Sequence, residues 1–413
     1  MIRVALVTTE FPPFELGGSA ESVRLAAEAL VRAGHRVTVV TAQWGPSPST
    51  EILNGVVVMR MPCTDLPSWP HPSERVFLSS RWHGMLETAV RGVAHAVDVL
   101  HAQDRRVLAP TMRAGLATKV PVVVTLRDVG LLCPIATCLL GHDRVPADCG
   151  QVKLWRQCSQ EYRTKLAPPW KPWTRAALAY RYAELGWQRR WLRDAACVGF
   201  VSDGLRRVYG SAGVPDARVP TAVLPSPVDE APPLENAQVR DLRTLRRGVP
   251  MVLFVGKPSV GKGWPQFADA ARRQDECGAV FAQVGPPPRE RGLCVQVGPQ
   301  DRAAVLAWMR AASVVVVPSL QQDALPRVAL EAAAQARPVI ATRVGGLPEI
   351  VEHNVTGLLV EPGADLVPAL GRLLRAPSLM DEMGRSARAH VLDRFGAKAT
   401  TERLVACYEG VRR

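Results

Sequence analysis

The chain has 413 residues, 47% of them apolar and 22% charged, with a formal net charge of +13. That length is too great for one ordinary core and points to two domains, and the composition is that of a globular protein with no apolar run long enough to span a membrane. The positive balance suits a diphosphate, an acidic acceptor or an anionic membrane surface; nucleic acid is set aside, since neither a recognised binding module nor a basic tail is present.

From the N-terminus, residues 3–8 read as a strand rather than a signal peptide, because no small-residue cleavage site follows. A loop over 10–18 carries Pro12, Pro13, Gly17 and Gly18. A helix is expected over 20–33, closed by Gly34-His35, then strands over 37–41, 97–101, 121–125 and 197–202. The second half restarts at 251–255 and continues with strands over 280–284, 293–297, 313–317 and 338–342. Strands alternating with helices imply parallel sheets, one per half. Between the halves, Pro225-Ser226-Pro227-Val228-Asp229 and Pro232-Pro233 mark a hinge. His35 reads as structural, whereas His101 and Asp104 at a strand end are candidates for lining an acceptor cleft.

Nine cysteines, an odd number, suit reduced thiols in the cytoplasm. Cys133, Cys138, Cys149 and Cys158, with His142 and Asp143 among them, have no Cys-x-x-Cys pair, and ordinary thiols are expected in place of a metal site. Beyond them come Arg163, Lys165, Lys171, Arg175, Arg181, Arg189, Arg190 and Arg193. Trp173, Tyr180, Trp187 and Trp191 fall at helical spacing among these cations. Such a stripe suits a membrane interface or a core-facing helix side, and the core is the favoured reading.

The densest chemistry lies in PSLQQDALPRVALEAAAQARPVIATRVGGLPE, residues 318–349. Val314 to Val317 is a buried parallel strand closed by Pro318-Ser319. A helix follows over 325–335, with Leu325, Val328, Ala329 and Ala332 on one face. Asp323 therefore sits just before a helix N-terminus, where free N–H groups and the helix dipole attract phosphate. Glu331 lies two turns further in. The next unit repeats the plan, with a strand over 338–342, a Gly345-Gly346 turn and Pro348 near a helix start. In open parallel sheets such strand-end loops hold ligands.

This segment resembles the nucleotide-sugar signature of retaining glycosyltransferases of family 4, an acidic pair with seven residues between. The resemblance extends to EFPPFELGGSAESVRLAAEALVRAGHRVTVVTA at the N-terminus, to PVVVTLRDVGLLCP, to PSPVD at the hinge and to VLFVGKPSVGKGW. It implies the α/β fold named GT-B, two doubly wound Rossmann-like domains facing a central cleft. The expected division is an acceptor domain over 1–229, a nucleotide-sugar domain over 230–392 and a last helix within 393–413 crossing back to the first.

The resemblance also implies roles. Lys257 and Lys262, on the loop opened by Gly256, would hold the donor diphosphate and neutralise it as it leaves, with no metal and no cofactor required. Glu331 would take the ribose hydroxyls, since a carboxylate offers two oxygens to two neighbouring donors. Asp323 would orient the hexose near the anomeric carbon. Backbone N–H groups at Ala324, Leu325 and Arg327, and the helix start at Val328, would meet sugar or phosphate, while Pro326 cannot donate. Gly17 and Gly18 would allow close backbone approach.

Three departures stand out. Arg127 replaces the family's usual His, and a guanidinium that stays protonated cannot serve as a base. Asp323 is one methylene shorter than the commoner Glu, and Ser226 stands where Asn is frequent. The implied activity is retaining hexosyl transfer from a UDP- or GDP-sugar to a sugar, lipid-linked or small-molecule hydroxyl, in the cytoplasm, with peripheral membrane contact left open. Two alternatives share the fold: an epimerase or hydrolase of the nucleotide sugar, and a non-catalytic nucleotide-sugar-binding protein.

Overall fold

A computed structural model describes residues 1–13, 18–43, 49–62, 80–136, 149–158, 171–230, 240, 242, 248–288, 290 and 292–412, with backbone only at 80 and 171–177. Two compact units emerge. One takes residues up to Pro227 together with Ala397–Arg413; the other is Val228–Gly396.

The first unit is built on eight strands: β1 (Arg3–Val7), β2 (Arg36–Gln43), β3 (Ser49–Leu53), β4 (Val56–Pro62), β5 (Val99–Ala102), β6 (Val122–Leu126), β7 (Cys197–Phe200) and β8 (Thr221–Val223). Their order is β3-β4-β2-β1-β5-β6-β7-β8, parallel throughout except for the antiparallel edge pair β3–β4. That edge hairpin was not expected. It turns at Asn54-Gly55, both at positive φ, the conformation that matches the twist of a two-residue hairpin. The helices are α1 (Gly18–Arg32), α2 (Ser80–Ala94), α3 (Leu108–Thr118), α4 (Lys171–Trp191) and α5 (Asp203–Ser211). Ser202 caps α5 by accepting from Leu205 N at 3.1 Å. The core joins Leu6, Val39, Val99 and Val123 from the sheet to Val23, Ala27 and Leu30 of α1.

The stripe on α4 faces the other way from the favoured reading. Leu178 and Leu185, and Leu192 just beyond the helix, are buried at seven-residue spacing, and this row takes the core. Tyr180 and Trp187, each two residues further round, are 61% and 71% exposed. Two residues rotate a helix by about 200°, so one row inside puts the other outside. Arg163 and Lys165 lie outside the described residues, as do the side chains of Lys171, Trp173 and Arg175.

The second unit has six parallel strands: β9 (Met251–Val255), β10 (Val280–Val284), β11 (Val295–Gly298), β12 (Val314–Val317), β13 (Val339–Thr342) and β14 (Gly357–Val360). Their order is β11-β10-β9-β12-β13-β14, in sequence terms 3-2-1-4-5-6, the doubly wound dinucleotide-fold order. Helices α6 (Trp264–Arg272), α7 (Arg302–Ala311), α8 (Arg327–Ala334), α9 (Val367–Leu374) and α10 (Pro377–Phe395) cover both faces. Val252, Phe254 and Val316 pack on one side with Phe267 and Leu370; Leu253, Val315 and Val317 pack on the other with Leu330 and Val391. Burial on both faces explains why these strands read as unbroken apolar runs.

The chain breaks at Gly396 and continues as α11 (Ala397–Val411), which adds Leu404 and Tyr408 to the core of the first unit. Among the described residues no helix is long and apolar enough to cross a membrane.

Candidate active site

In the second unit the sequence-order reversal falls between β9 and β12, and the two loops that leave those strands carry the proposed donor residues. Such a reversal opens a crevice at the strand ends. After β9 the chain passes Gly256 at φ 131° and Lys257, then makes one tight turn over Val260–Lys262, where Lys262 N points to Ser259 Oγ at 3.4 Å. Gly263 follows at φ 74°; a Cβ there would lie 1.8 Å from Pro318 O. Only glycine lets the two loops come this close. They are then tied together: Leu320 N and Gln321 N donate to Gly261 O at 3.0 and 3.1 Å.

The loops bring Lys262 and Asp323 together. Lys262 Nζ donates to both carboxylate oxygens of Asp323, at 2.9 and 2.8 Å, and Ser319 Oγ donates to Asp323 Oδ2 at 2.7 Å. Ser319 O in turn accepts from Thr342 Oγ1 at 2.6 Å. The Gly345-Gly346 turn fixes the Asp323 backbone: Gly346 N donates to Asp323 O at 2.9 Å, and a Cβ on Gly345 would lie 2.1 Å from that oxygen. Both glycines of the turn thus serve Asp323, 22 and 23 residues before them. Asp323 is buried, while Lys262 keeps part of its length in solvent. Lys257 is exposed and forms no hydrogen bond or ion pair among the described residues.

Glu331 forms a second cluster. Its Oε1 accepts from Arg302 Nη1 at 2.7 Å and from Arg327 Nε at 3.0 Å, with Arg327 Nη2 at 2.9 Å. Arg327 reaches it across one helical turn, the i,i+4 spacing at which side chains meet. Its role was expected from the backbone alone; the side chain is the part that reaches the acid. Oε2 of Glu331 has no donor among the described residues. Helix α8 starts at Arg327, two residues later than expected, because Pro326 ends the preceding loop in an extended conformation. The N–H groups of Ala324, Leu325 and Val328 meet no acceptor among the described residues, so the helix entrance presents free donors. Ser319 and Arg302 were not identified from sequence. Ser319 lay in the quoted motif, but nothing in the spacing linked Arg302 to an acid 29 positions on.

In the first unit, Gly18 is the first residue of α1, and Gly17 lies outside the described residues. Arg127 leaves the end of β6 and is held on several sides: Nε donates to Gln103 O at 3.0 Å, Nη1 to Ser226 Oγ at 2.8 Å, and Nη2 to Gln103 Oε1. Two departures from the family pattern, Arg127 and Ser226, are therefore bonded to each other. His101 corrects the expectation placed on it. It is fully buried, with Nδ1 2.7 Å from Tyr408 Oη and Nε2 2.7 Å from Thr125 Oγ1. It anchors α11 and lines no cleft, because its strand-end position turns its ring into the core. Burial, then the nearby Arg127 charge, push its pKa down to about 3. Asp104 staples the β1 loop through Thr9 N at 2.8 Å and Thr9 Oγ1 at 2.9 Å. His35 Nδ1 accepts from Ile2 N at 3.1 Å, a structural role. Cys133, Cys149 and Cys158 carry no disulfide, and Cys138, His142 and Asp143 lie outside the described residues; among those described, no three His, Cys, Asp or Glu side chains form a metal-binding group.

Residues 16–231 match the family model described as Glycosyltransferase Family 4, and residues 249–376 the one described as Glycosyl transferases group 1. The chain belongs to glycosyltransferase family 4. This family 4 chain is 38% identical over 160 residues to a D-inositol 3-phosphate glycosyltransferase of Actinosynnema mirum, covering 38% of this chain and 35% of that one. It is 29% identical over 178 residues to the alpha-D-kanosaminyltransferase of Streptomyces kanamyceticus, covering 39% and 46%. The matches span less than half the length of these relatives. Among solved structures, the sucrose-phosphate synthase of Thermosynechococcus elongatus superposes with a TM-score of 0.71 at 22% identity, over 99% of this chain and 98% of that one. Anabaena HepE in complex with UDP-glucose superposes with a TM-score of 0.67 at 18% identity, over 99% and 100%. The family 4 chain has the GT-B fold, two Rossmann-like domains, as its motifs implied.

Proposed function

We propose that the chain transfers a hexosyl group from a nucleotide-diphosphate sugar, UDP- or GDP-linked, to a hydroxyl acceptor with retention at the anomeric carbon. The observation that carries this reading is the Lys262–Asp323 pair at the sheet's switch point in a family 4 chain. The acceptor is a glycan, a lipid-linked sugar or a small natural product.

In this reading the diphosphate draws Lys262 away from Asp323 and is met also by Lys257, the exposed ammonium at the mouth of the same loop. The free N–H groups at Ala324, Leu325 and Val328 take sugar or phosphate oxygens. Glu331 Oε2 accepts from the ribose, while the two guanidiniums on Oε1 hold the carboxylate in place. Asp323, released from the lysine, accepts from hexose hydroxyls and stabilises positive charge growing at the anomeric carbon. The bond from that carbon to the phosphate oxygen breaks as the bond to the acceptor oxygen forms on the same face. The leaving phosphate takes the acceptor's proton, so no side-chain base is required. Arg127, fixed by Gln103 and Ser226, supplies a permanent positive charge to a phosphate or an acidic acceptor.

Incubating the purified chain with UDP- and GDP-hexoses and a panel of acceptors, and following nucleotide diphosphate release, tests the proposal. Release is expected only with acceptor present, and NMR of the product should show the donor's anomeric configuration. Lys262→Ala should lower kcat by about 10²–10³, the scale of losing one charged group at a developing charge. Glu331→Ala should raise KM for the donor about tenfold or more by removing a charge-assisted contact. Turnover without acceptor, or wild-type kinetics in both variants, would refute it.

A further inference from the structure

Gln283 is the one polar side chain in β10, buried there among Phe281, Ala282 and Val284. Its Nε2 donates to Gly256 O at 3.2 Å and to Pro286 O at 3.1 Å, which uses both hydrogens of the amide. Its Oε1 is buried with no partner among the described residues, so a ligand does not reach it and the unpaired acceptor is destabilising. The surroundings are nevertheless shaped to this amide. The β10–β11 register shifts between Gln283 and Val284, an irregularity of the kind that re-aims a side chain. Gly285 follows at φ 136°, where a Cβ would lie 2.7 Å from Gly256 O and 3.2 Å from Gln283 Nε2. Gly256 is thereby gripped at both ends by β10: its N donates to Val284 O at 2.8 Å, and its O accepts from Gln283.

That oxygen decides where a neighbouring donor points. The Gly256–Lys257 peptide is trans. In a planar trans peptide the C=O and the N–H that follows it point in opposite directions. With Gly256 O turned toward the buried amide, Lys257 N–H is turned away from it. Lys257 N meets no acceptor among the described residues, and Lys257 is exposed. Gly256, at φ 131° and without a Cβ, does little by itself to stop this peptide from rotating. Gln283 supplies the restraint. A backbone N–H and an ammonium from one residue then stand together at the carboxyl end of β9, where open parallel sheets hold their ligands.

We propose that Gln283 is a positioning residue for the donor diphosphate: it holds Gly256 O inward so that Lys257 N–H faces a phosphate oxygen. The role rests on the loop after β9 being the diphosphate site of the proposed transfer. Binding, not turnover, tests it. In the full chain labelled with 15N-lysine, the Lys257 amide is assigned through Lys257→Arg, and UDP or GDP is added. The Lys257 amide proton should move downfield as it bonds to phosphate. Gln283→Met, similar in length but without a donor, should abolish that movement. Calorimetry should show it weakening the diphosphate about tenfold, the scale of one hydrogen bond to a charged group. Its thermal midpoint should not fall, because the unpaired acceptor leaves with the amide. A lowered midpoint with the amide movement retained would make Gln283 a plain staple between loops and overturn the role. So would a variant that keeps the parent's movement and affinity. Should Gln283→Met not fold, the parent decides alone: a Lys257 amide unmoved at saturation with nucleotide overturns the role and leaves the transfer reading standing. A parent that binds neither UDP nor GDP removes both.

Discussion

At the residue scale, Asp323, Glu331 and the loop lysines stand out as candidates because their spacing sits inside a recognisable strand–loop–helix frame, whereas the contacts they make cannot be read from it. Asp323 could be found from its distance to Glu331; Ser319 and Lys262, which grip it, come from the same strand end and from a loop 61 residues earlier. Nothing in a linear sequence states that contact. The glycines make it physical. Gly263 and Gly248 both have positive φ, 74° and 80°, but a Cβ on Gly263 would meet Pro318 O at 1.8 Å, whereas Gly248 has nothing within 4 Å. Gly248→Ala should therefore cost only the backbone strain of a left-handed alanine, about 1 kcal/mol. Gly263→Ala adds a backbone collision that separates the two loops and should cost about 3 kcal/mol or more. Urea denaturation of both variants compares them directly; equal midpoints would mean the loops do not need their close approach.

At the element scale, legibility followed burial. The central strands of the second sheet are covered on both faces, so their apolar runs leave no choice of period, and Met251–Val255 and Val280–Val284 fall where expected. The β3–β4 hairpin carries its own signal, Asn54-Gly55 between apolar runs, but its edge strands are only half-buried, so their apolar pattern is weak beside that of the central strands. Helix α4 held two rows at helical spacing, one of leucines and one of aromatics. Periodicity alone cannot say which row faces the sheet. Helix α11 is held by more than its apolar side: Tyr408 Oη meets His101 Nδ1 deep in the first unit. Tyr408→Phe keeps the ring and strips one hydrogen bond from a buried imidazole. It should lower the unfolding stability of the first unit by about 1–3 kcal/mol. Thermal denaturation measures this, and an unchanged midpoint would show that the bond contributes nothing to holding the last helix.

At the scale of the whole molecule, the charge of +13 reflects many arginines spread over helices, yet one neutral histidine governs part of the response to acid. His101 is fully buried, with both ring nitrogens in hydrogen bonds, and its pKa is pushed down to about 3. In the unfolded chain it titrates near the ordinary value of about 6.5. Above that pH both states hold it neutral and it imposes no pH dependence. As pH falls below about 6.5 the unfolded state takes up a proton that the folded state refuses, so stability drops with falling pH until about 3. The slope from this group alone approaches about 1.4 kcal/mol per pH unit, for a total of about 2 kcal/mol between pH 7.5 and 5. His83, pushed down to about 4 by burial and by Arg113, acts in the same direction. The two are separated by His101→Asn, which cannot titrate. That variant should be less stable than the parent at pH 7.5, having lost a ring that bridges Tyr408 and Thr125, and the gap should narrow steadily toward pH 5. Urea midpoints at half-unit pH steps give both curves. Parallel curves would mean that His101 takes up its proton in the folded protein as readily as in the unfolded chain, and that the buried bridge between β5, β6 and α11 is not closed.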